Sequence, residues 1–231
     1  MLRAVIFDFN GVLVDDEPIH LEMFQKVLLD EGLSLDPGEY YAHYLGMDDR
    51  GCFKAVYQDR GHVLNSGYLE KLVQRKARYY RESIEKRIVV FPGVRDLVPE
   101  LSSRLPLAIG SGALRSEIEM ILTNIRLRSF FQVIVSTDDV SKGKPDPEVF
   151  SKALQLLNQK GIDRTIEPSD CLVIEDSREG IRGAHAAGMK CLAVANSHQA
   201  EELTDAEAVV ESLEGVNVSF LESLFFADDS A

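Results

Sequence analysis

Ala4-Val5-Ile6-Phe7-Asp8-Phe9-Asn10-Gly11-Val12-Leu13 is the stretch that decides the fold. Four apolar residues run unbroken into an aspartate, and Asn10-Gly11 then marks a turn. A run this short and this uniformly apolar reads as a strand covered on both faces, as strands of a parallel sheet are. Working outward, similar runs recur at residues 105–109, 133–135, 171–174 and 191–194, each bounded by Gly, Asp, Ser or Pro. Helical patterns lie between them, at 114–125, 147–157 and 177–187, and Gly188 is placed to terminate the last. This alternation predicts an α/β fold, a doubly wound, Rossmann-like parallel sheet.

Residues 17–87 break the alternation. Ile19, Met23 and Val27, and later Leu69, Leu72, Val73 and Tyr80, recur at helical spacing with no strand pattern among them. An all-α insertion is therefore expected, with the chain re-entering the sheet domain at Phe91-Pro92-Gly93-Val94. The expected division is a core of residues 1–15 and 91–231 and a helical domain of residues 16–90, hinges included. A chain of 231 residues is long enough for both.

Composition narrows the partners. The 25 Lys and Arg stand against 38 Asp and Glu, a formal charge of -13, and so acidic a surface repels nucleic acid and anionic lipid alike. No apolar run approaches the roughly 18 residues that span a bilayer, and the first residues lack the pattern of a secretory signal. The three cysteines, Cys52, Cys171 and Cys191, are scattered and form no CxxC pair, so neither a disulfide framework nor a zinc site is indicated. A soluble cytoplasmic protein, a monomer or weak dimer, is the expectation.

Parallel sheets gather ligands at the carboxyl ends of their strands. Those ends carry Asp8-Phe9-Asn10-Gly11, then Gly110-Ser111-Gly112, then Lys142-Gly143-Lys144-Pro145 and finally Glu175-Asp176-Ser177. A carboxylate, a hydroxyl, an amine and an acidic pair suit phosphoryl transfer. Asp8 can attack phosphorus as a nucleophile, and Ser111 and neighbouring amides can hold phosphate oxygens. Lys144 can offset the charge that builds up. Asp8, Glu175 and Asp176 offer the hard oxygen ligands that Mg²⁺ prefers. Each piece also has a structural explanation: Asn10-Gly11 as a turn, Lys144-Pro145 as a helix start, Glu175-Asp176 as acids at a helix N-terminus. Ser177 reads best as an N-cap.

With those four motifs in that order, the chain resembles the haloacid dehalogenase (HAD) superfamily, in particular its phosphatase and β-phosphoglucomutase branch with a helical C1-type cap. The resemblance implies Asp8 as nucleophile, and Ser111, Gly112 and Lys144 at the phosphate. It implies Mg²⁺ held by Asp8, Asp176 and the main-chain carbonyl of Asn10, with Glu175 close by. It also implies a cap that closes over a small phosphorylated metabolite. Within the cap, Gly46, Arg50 and the Arg75-Lys76 pair are the expected substrate contacts. Mutase relatives use Ser and Lys beyond the second motif, where this chain has Ala113-Leu114. That weighs against a sugar phosphomutase.

One position departs from the family pattern. The first motif usually reads Asp-x-Asp, the second Asp serving as acid and base, and here Asn10 stands in its place. An amide donates a hydrogen bond but does not exchange a proton near neutral pH. Three readings follow: substrates that need no acid, substitution by Asp15, Asp16, Glu17 or His20, or a pseudophosphatase that binds with little turnover. The Asn10-Gly11 dipeptide adds an expectation of slow deamidation to aspartate, because glycine leaves the following backbone nitrogen open to attack the side-chain amide.

Overall fold

The computed structural model describes residues 1–84, 87–160 and 164–226. The chain divides into two compact units, Met1–Asp15 with Val89–Ala231, and Asp16–Ile88. The second break falls ahead of the expected residue 90 because Val89 and Val90 form a short strand of the first unit.

In chain order the first unit contains β1 (Ala4–Phe7), β2 (Val14–Asp15), β3 (Val89–Val90), α5 (Val94–Ser102), β4 (Leu107–Gly110) and α6 (Arg115–Asn124). It continues with β5 (Val133–Val135), α7 (Glu148–Asn158), β6 (Cys171–Glu175), α8 (Arg178–Ala186), β7 (Lys190–Val194), β8 (Ala208–Val210) and α9 (Val218–Ser223). Among the described residues, six strands form one sheet in the order β5-β4-β1-β6-β7-β8, every pair parallel. β1 lies in the middle, in register with β4 (Val5↔Leu107) and β6 (Val5↔Leu172). Chain order reverses direction at β1, so its carboxyl end is the switch point where open sheets form a crevice.

The apolar runs are strands because helices cover both faces. Ala4, Ile6, Ala108, Val133, Val135, Cys171, Val173 and Cys191 alternate onto one face and pack with Phe150, Ala153 and Leu157 of α7 and Ile181 and Ala184 of α8. On these strands the period of two selects one apolar layer from a continuous apolar run. Phe7 meets Phe131 edge-on at 5.8 Å. Two sequence expectations need correcting. The second strand spans Leu107–Gly110 rather than 105–109, following Pro106, which has no amide proton for a ladder. A sixth strand, β8, was not expected. It is short, at the sheet edge and only partly buried, so it lacks a long apolar run.

The second unit comprises α1 (Glu17–Asp30), α2 (Pro37–His43), α3 (Asp49–Asp59) and α4 (Ser66–Ile84). Asp36 caps α2 and Asp48 caps α3 with side-chain oxygens that accept from the first-turn amides, and Pro18 and Pro37 sit at their helix starts where no donor is needed. Phe24, Val27, Leu28, Phe53, Val56, Leu72 and Val73 form its core. No described helix is long and apolar enough to cross a membrane. All three cysteines are free and buried.

Candidate active site

The carboxyl ends of β1, β4 and β6 and the turn that precedes α7 bring Asp8, Ser111, Glu175, Asp176 and Lys144 to one end of the sheet. The ladder continues one residue past β1, the Asp8 amide donating to Ile174 O at 2.9 Å, which sets Asp8 beside the acidic pair that follows. Ligand oxygens of Asp8, Glu175 and Asp176 all lie within 4.8 Å of one another. Lys144 Nζ stands 2.9 Å from Asp8 Oδ1 and also bonds Glu175. Ser111 is 2 % exposed, its amide held by Val135 O at 3.0 Å, and its Oγ accepts from the Ala113 amide at 3.2 Å.

Each side chain is placed by local structure. Glu175 folds back over the start of α8, where its Oε2 accepts from the amides of Asp176 (2.8 Å) and Ser177 (2.9 Å) and from Ser177 Oγ (2.9 Å). Ser177 itself accepts from the Gly180 amide at 3.0 Å, the N-cap role its position predicts. Glycine is required at 180, since a Cβ there would lie 1.9 Å from the Glu175 carboxylate. Lys144 is carried by a turn tied to α7 through Glu148, whose Oε2 accepts from the Ser141 and Lys142 amides at 2.9 and 3.0 Å. Asn10 and Gly11 form a tight turn closed by a bridge to Val14. The Gly11 amide donates to Val14 O at 3.0 Å, and Gly11 has φ of 77°. That bond engages the very nitrogen that would attack the Asn10 side chain, so the folded turn works against deamidation.

Three nearly enclosed carboxylates meet one ammonium here. Burial pushes Asp8 up to about 6, with Glu175 adding to the rise and Lys144 opposing it. Asp176 is raised well above the usual carboxylate range by burial and by the charges of Glu175 and Asp8. Glu175 goes the other way: burial raises it, but Lys144 and the Ser177 donors outweigh burial. Burial also disfavours the Lys144 charge, yet Asp8 and Glu175 overcome it and its pKa rises. The cluster carries a surplus of negative charge in hard oxygen donors, which a small divalent cation fits.

This surplus has a pH signature. With Asp8 raised from 3.8 to about 6, the folded state holds a proton that the unfolded chain has released, so this group lowers stability as pH climbs through that window. A cation that replaces the proton removes the penalty. Added Mg²⁺ is expected to raise the calorimetric unfolding midpoint more at about pH 7.5 than at about pH 5. An equal shift at both would count against these carboxylates holding the ion.

The residues expected to contact substrate in the helical unit have separate settings. Gly46 has φ of 80° with open space around it. Arg50 is half exposed and pairs with Glu70 at 2.9 Å. Arg75 pairs with Glu31 at 2.7 Å. Lys76 is fully buried, bonded to Asp49 and to His20 Nδ1, with Nζ 4.3 Å from the Phe24 ring centroid. His20 in turn bonds Asp16 at 3.0 Å, and Tyr80 donates to the same carboxylate. Burial and Lys76 lower the His20 pKa, but Asp16 prevails and raises it. Glu17 accepts from Tyr40. Thus three of the groups weighed as replacement acids, Asp16, Glu17 and His20, have partners within the helical unit. The sequence reading did not find Asn196 or Ser197, which follow β7. Ser197 donates to Asp176, and Asn196 Nδ2 donates to Gly11 O at 2.7 Å.

Comparison with known proteins supplies the family. Residues 5–194 match the model of the haloacid dehalogenase-like hydrolase family. The chain is 30% identical over 228 residues to the chloroplastic 5-amino-6-(5-phospho-D-ribitylamino)uracil phosphatase of Arabidopsis thaliana, covering 97% of this chain and 58% of that one. It thus spans little more than half of that relative's length. It is also 30% identical over 193 residues to the fructose-1-phosphate phosphatase YqaB of Escherichia coli, covering 83% and 95% of the two chains. CbbY from Rhodobacter sphaeroides superposes with a TM-score of 0.85 in its complex with phosphate, at 22% identity over 96% of this chain and 100% of that one. An aspartate-to-asparagine mutant of CbbY in complex with xylulose-(1,5)bisphosphate superposes at 0.83, with 23% identity over 96% and 99%. At such identities the structural likeness speaks for the fold. A matched model over most of the chain, on a parallel sheet that ends in an aspartate, a serine, a lysine and an acidic pair, places this protein in the haloacid dehalogenase-like hydrolase family.

Proposed function

We propose that this protein is a Mg²⁺-dependent phosphatase of a small phosphorylated sugar or polyol, working through a phosphoryl group carried briefly on Asp8. The observation that carries the reading is the meeting of Asp8, Glu175 and Asp176 within 4.8 Å, with Lys144 on Asp8. The named relatives, which act on a ribityl phosphate and on fructose 1-phosphate, support the substrate class.

In the first step the Asp8 carboxylate attacks phosphorus. A bond forms from its oxygen to phosphorus, the ester oxygen leaves with its electron pair, and that oxygen must gain a proton. In the second step water attacks the same phosphorus, inorganic phosphate departs and the Asp8 carboxylate returns. Ser111 and the Gly112 amide would bind phosphate oxygens, and Lys144 would offset charge on the transferring group. Asp8, Asp176 and the Asn10 carbonyl, with Glu175 beside them, would hold Mg²⁺, which when bound supplies positive charge against both anions. Asn10 would orient the leaving group through its amide without protonating it. In the helical unit, substrate contact falls to Arg50 and the open Gly46 ahead of Lys76, whose ammonium is already committed to Asp49. The second phosphate grip of a mutase has no counterpart at Ala113-Leu114, and nearby Arg115 is paired with Asp139 at 2.6 Å.

Asn10 favours one other reading, a protein that binds a phosphometabolite with little turnover. The CbbY mutant shows a sugar bisphosphate bound in this fold after an aspartate-to-asparagine change. A panel of sugar, polyol and aryl phosphates, assayed with and without Mg²⁺ for released phosphate, separates the two. The phosphatase reading expects Mg²⁺-dependent release and, after acid quench, phosphate on the peptide that contains Asp8. Binding of esters with no release across the panel would establish the binding protein instead.

A further inference from the structure

We propose that Ser197 and Asn196, on the turn after β7, are positioning residues that set the affinity of the acidic cluster for its divalent cation. This rests on the metal-dependent reading above. Neither residue belongs to the four motifs.

Three turns meet at this point. Ser197 Oγ donates to Asp176 Oδ2, and Asn196 Nδ2 donates to the carbonyl of Gly11 at 2.7 Å. Gly11 presses on the same pair: a Cβ on it would lie 1.8 Å from Asp176 Oδ2 and 2.8 Å from Ser197 Oγ. The turn after β7 therefore holds the turn after β1 with one side chain and the acid after β6 with the next. Its own backbone is fixed, since the Ala195 amide donates to Val210 O and the Asn196 amide to Val194 O, both at 2.9 Å.

The physical consequence concerns a carboxylate's freedom to rotate. Asp176 is 5 % exposed and receives no ion pair among the described residues, unlike Glu175, which Lys144 and the amides of Asp176 and Ser177 hold. A hydroxyl on one oxygen fixes the plane of the Asp176 carboxylate and so the direction of the other oxygen. Hydrogen bonds of this kind, one shell outside an ion, are typically worth about 10–100-fold in metal affinity. Asn196 acts on the other arm, holding the Gly11 peptide next to the Asn10 carbonyl.

The test uses the full chain. Bound Mn²⁺ is counted by electron paramagnetic resonance and Mg²⁺ binding is measured by calorimetry, for native protein, Ser197→Ala, Ser197→Thr, Asn196→Ala and Asp176→Ala. Ser197→Ala is expected to weaken both ions about 10–100-fold, and Ser197→Thr, which keeps a hydroxyl, to stay within a few-fold of native. The Mg²⁺ concentration for half-maximal activity should rise accordingly while the rate at saturating Mg²⁺ recovers. Asn196→Ala should shift affinity in the same direction. If Ser197→Ala unfolds, Ser197→Thr against Ser197→Val compares two side chains of one shape with and without the hydroxyl. Equal ion affinity for native and Ser197→Ala, or for the Thr and Val variants, while Asp176→Ala loses the ion, would overturn the positioning role and leave the metal reading standing. Native protein that binds neither ion would overturn both.

Discussion

An Asn10→Asp variant is expected to hydrolyse alkyl phosphates roughly 10²–10⁴-fold faster than the native chain, the usual worth of a placed general acid and base. The native amide can point a hydrogen at the departing oxygen but keeps it, so the oxygen must leave as an alkoxide or take a proton from water. A carboxyl at the same site transfers the proton, then takes one from the attacking water. The two side chains are nearly equal in size, and the turn's bond from the Gly11 amide to Val14 O involves neither, so the fold should tolerate the change. The gain should appear in kcat, and it should shrink for aryl phosphates, whose leaving groups need little protonation. Initial rates on a matched alkyl and aryl pair provide the check. Equal gains on both would show that the residue at position 10 does not handle the leaving-group proton.

Asp8→Ala is expected to abolish phosphate release altogether, in the native background and in combination with Asn10→Asp. Among the described residues, the two carboxylates that cluster with Asp8 already have partners. Glu175 is committed to Lys144 and the start of α8, and Asp176 is bonded by Ser197. Metal-free stability should hold or rise, because the change removes one of three clustered carboxylates that burial disfavours. Loss of turnover with an unchanged or higher unfolding midpoint therefore separates a chemical role from a structural one. Release that survives in the combined variant would remove Asp8 from the mechanism.

Much of this architecture is visible in the primary structure, for identifiable reasons. The buried strands are legible because helices on both faces leave no polar position along Ala4–Phe7 or residues 171–174. Ser177 is legible as a cap because its role is local. Contacts made across the chain are not. Nothing near Asn196 in the sequence signals that its side chain reaches Gly11, 185 positions earlier. Lys76, an expected substrate contact, has surroundings that the sequence does not signal: in full burial its ammonium pairs with Asp49 and bonds His20 Nδ1. β8 escapes notice because three partly buried residues at a sheet edge carry little hydrophobic pattern.

The pairing of Asp15 with Val89 in the β2–β3 ribbon has a further consequence. It means that the polypeptide departs from the α/β unit and rejoins it at neighbouring points, as if the helical unit were plugged into a socket. Closure entropy grows only logarithmically with the length spliced in, about 0.6 kcal/mol for each doubling. Larger, smaller or unrelated inserts could thus occupy that socket at little thermodynamic penalty to the sheet. The chemistry and its accessory domain are in this sense free to diversify at different speeds.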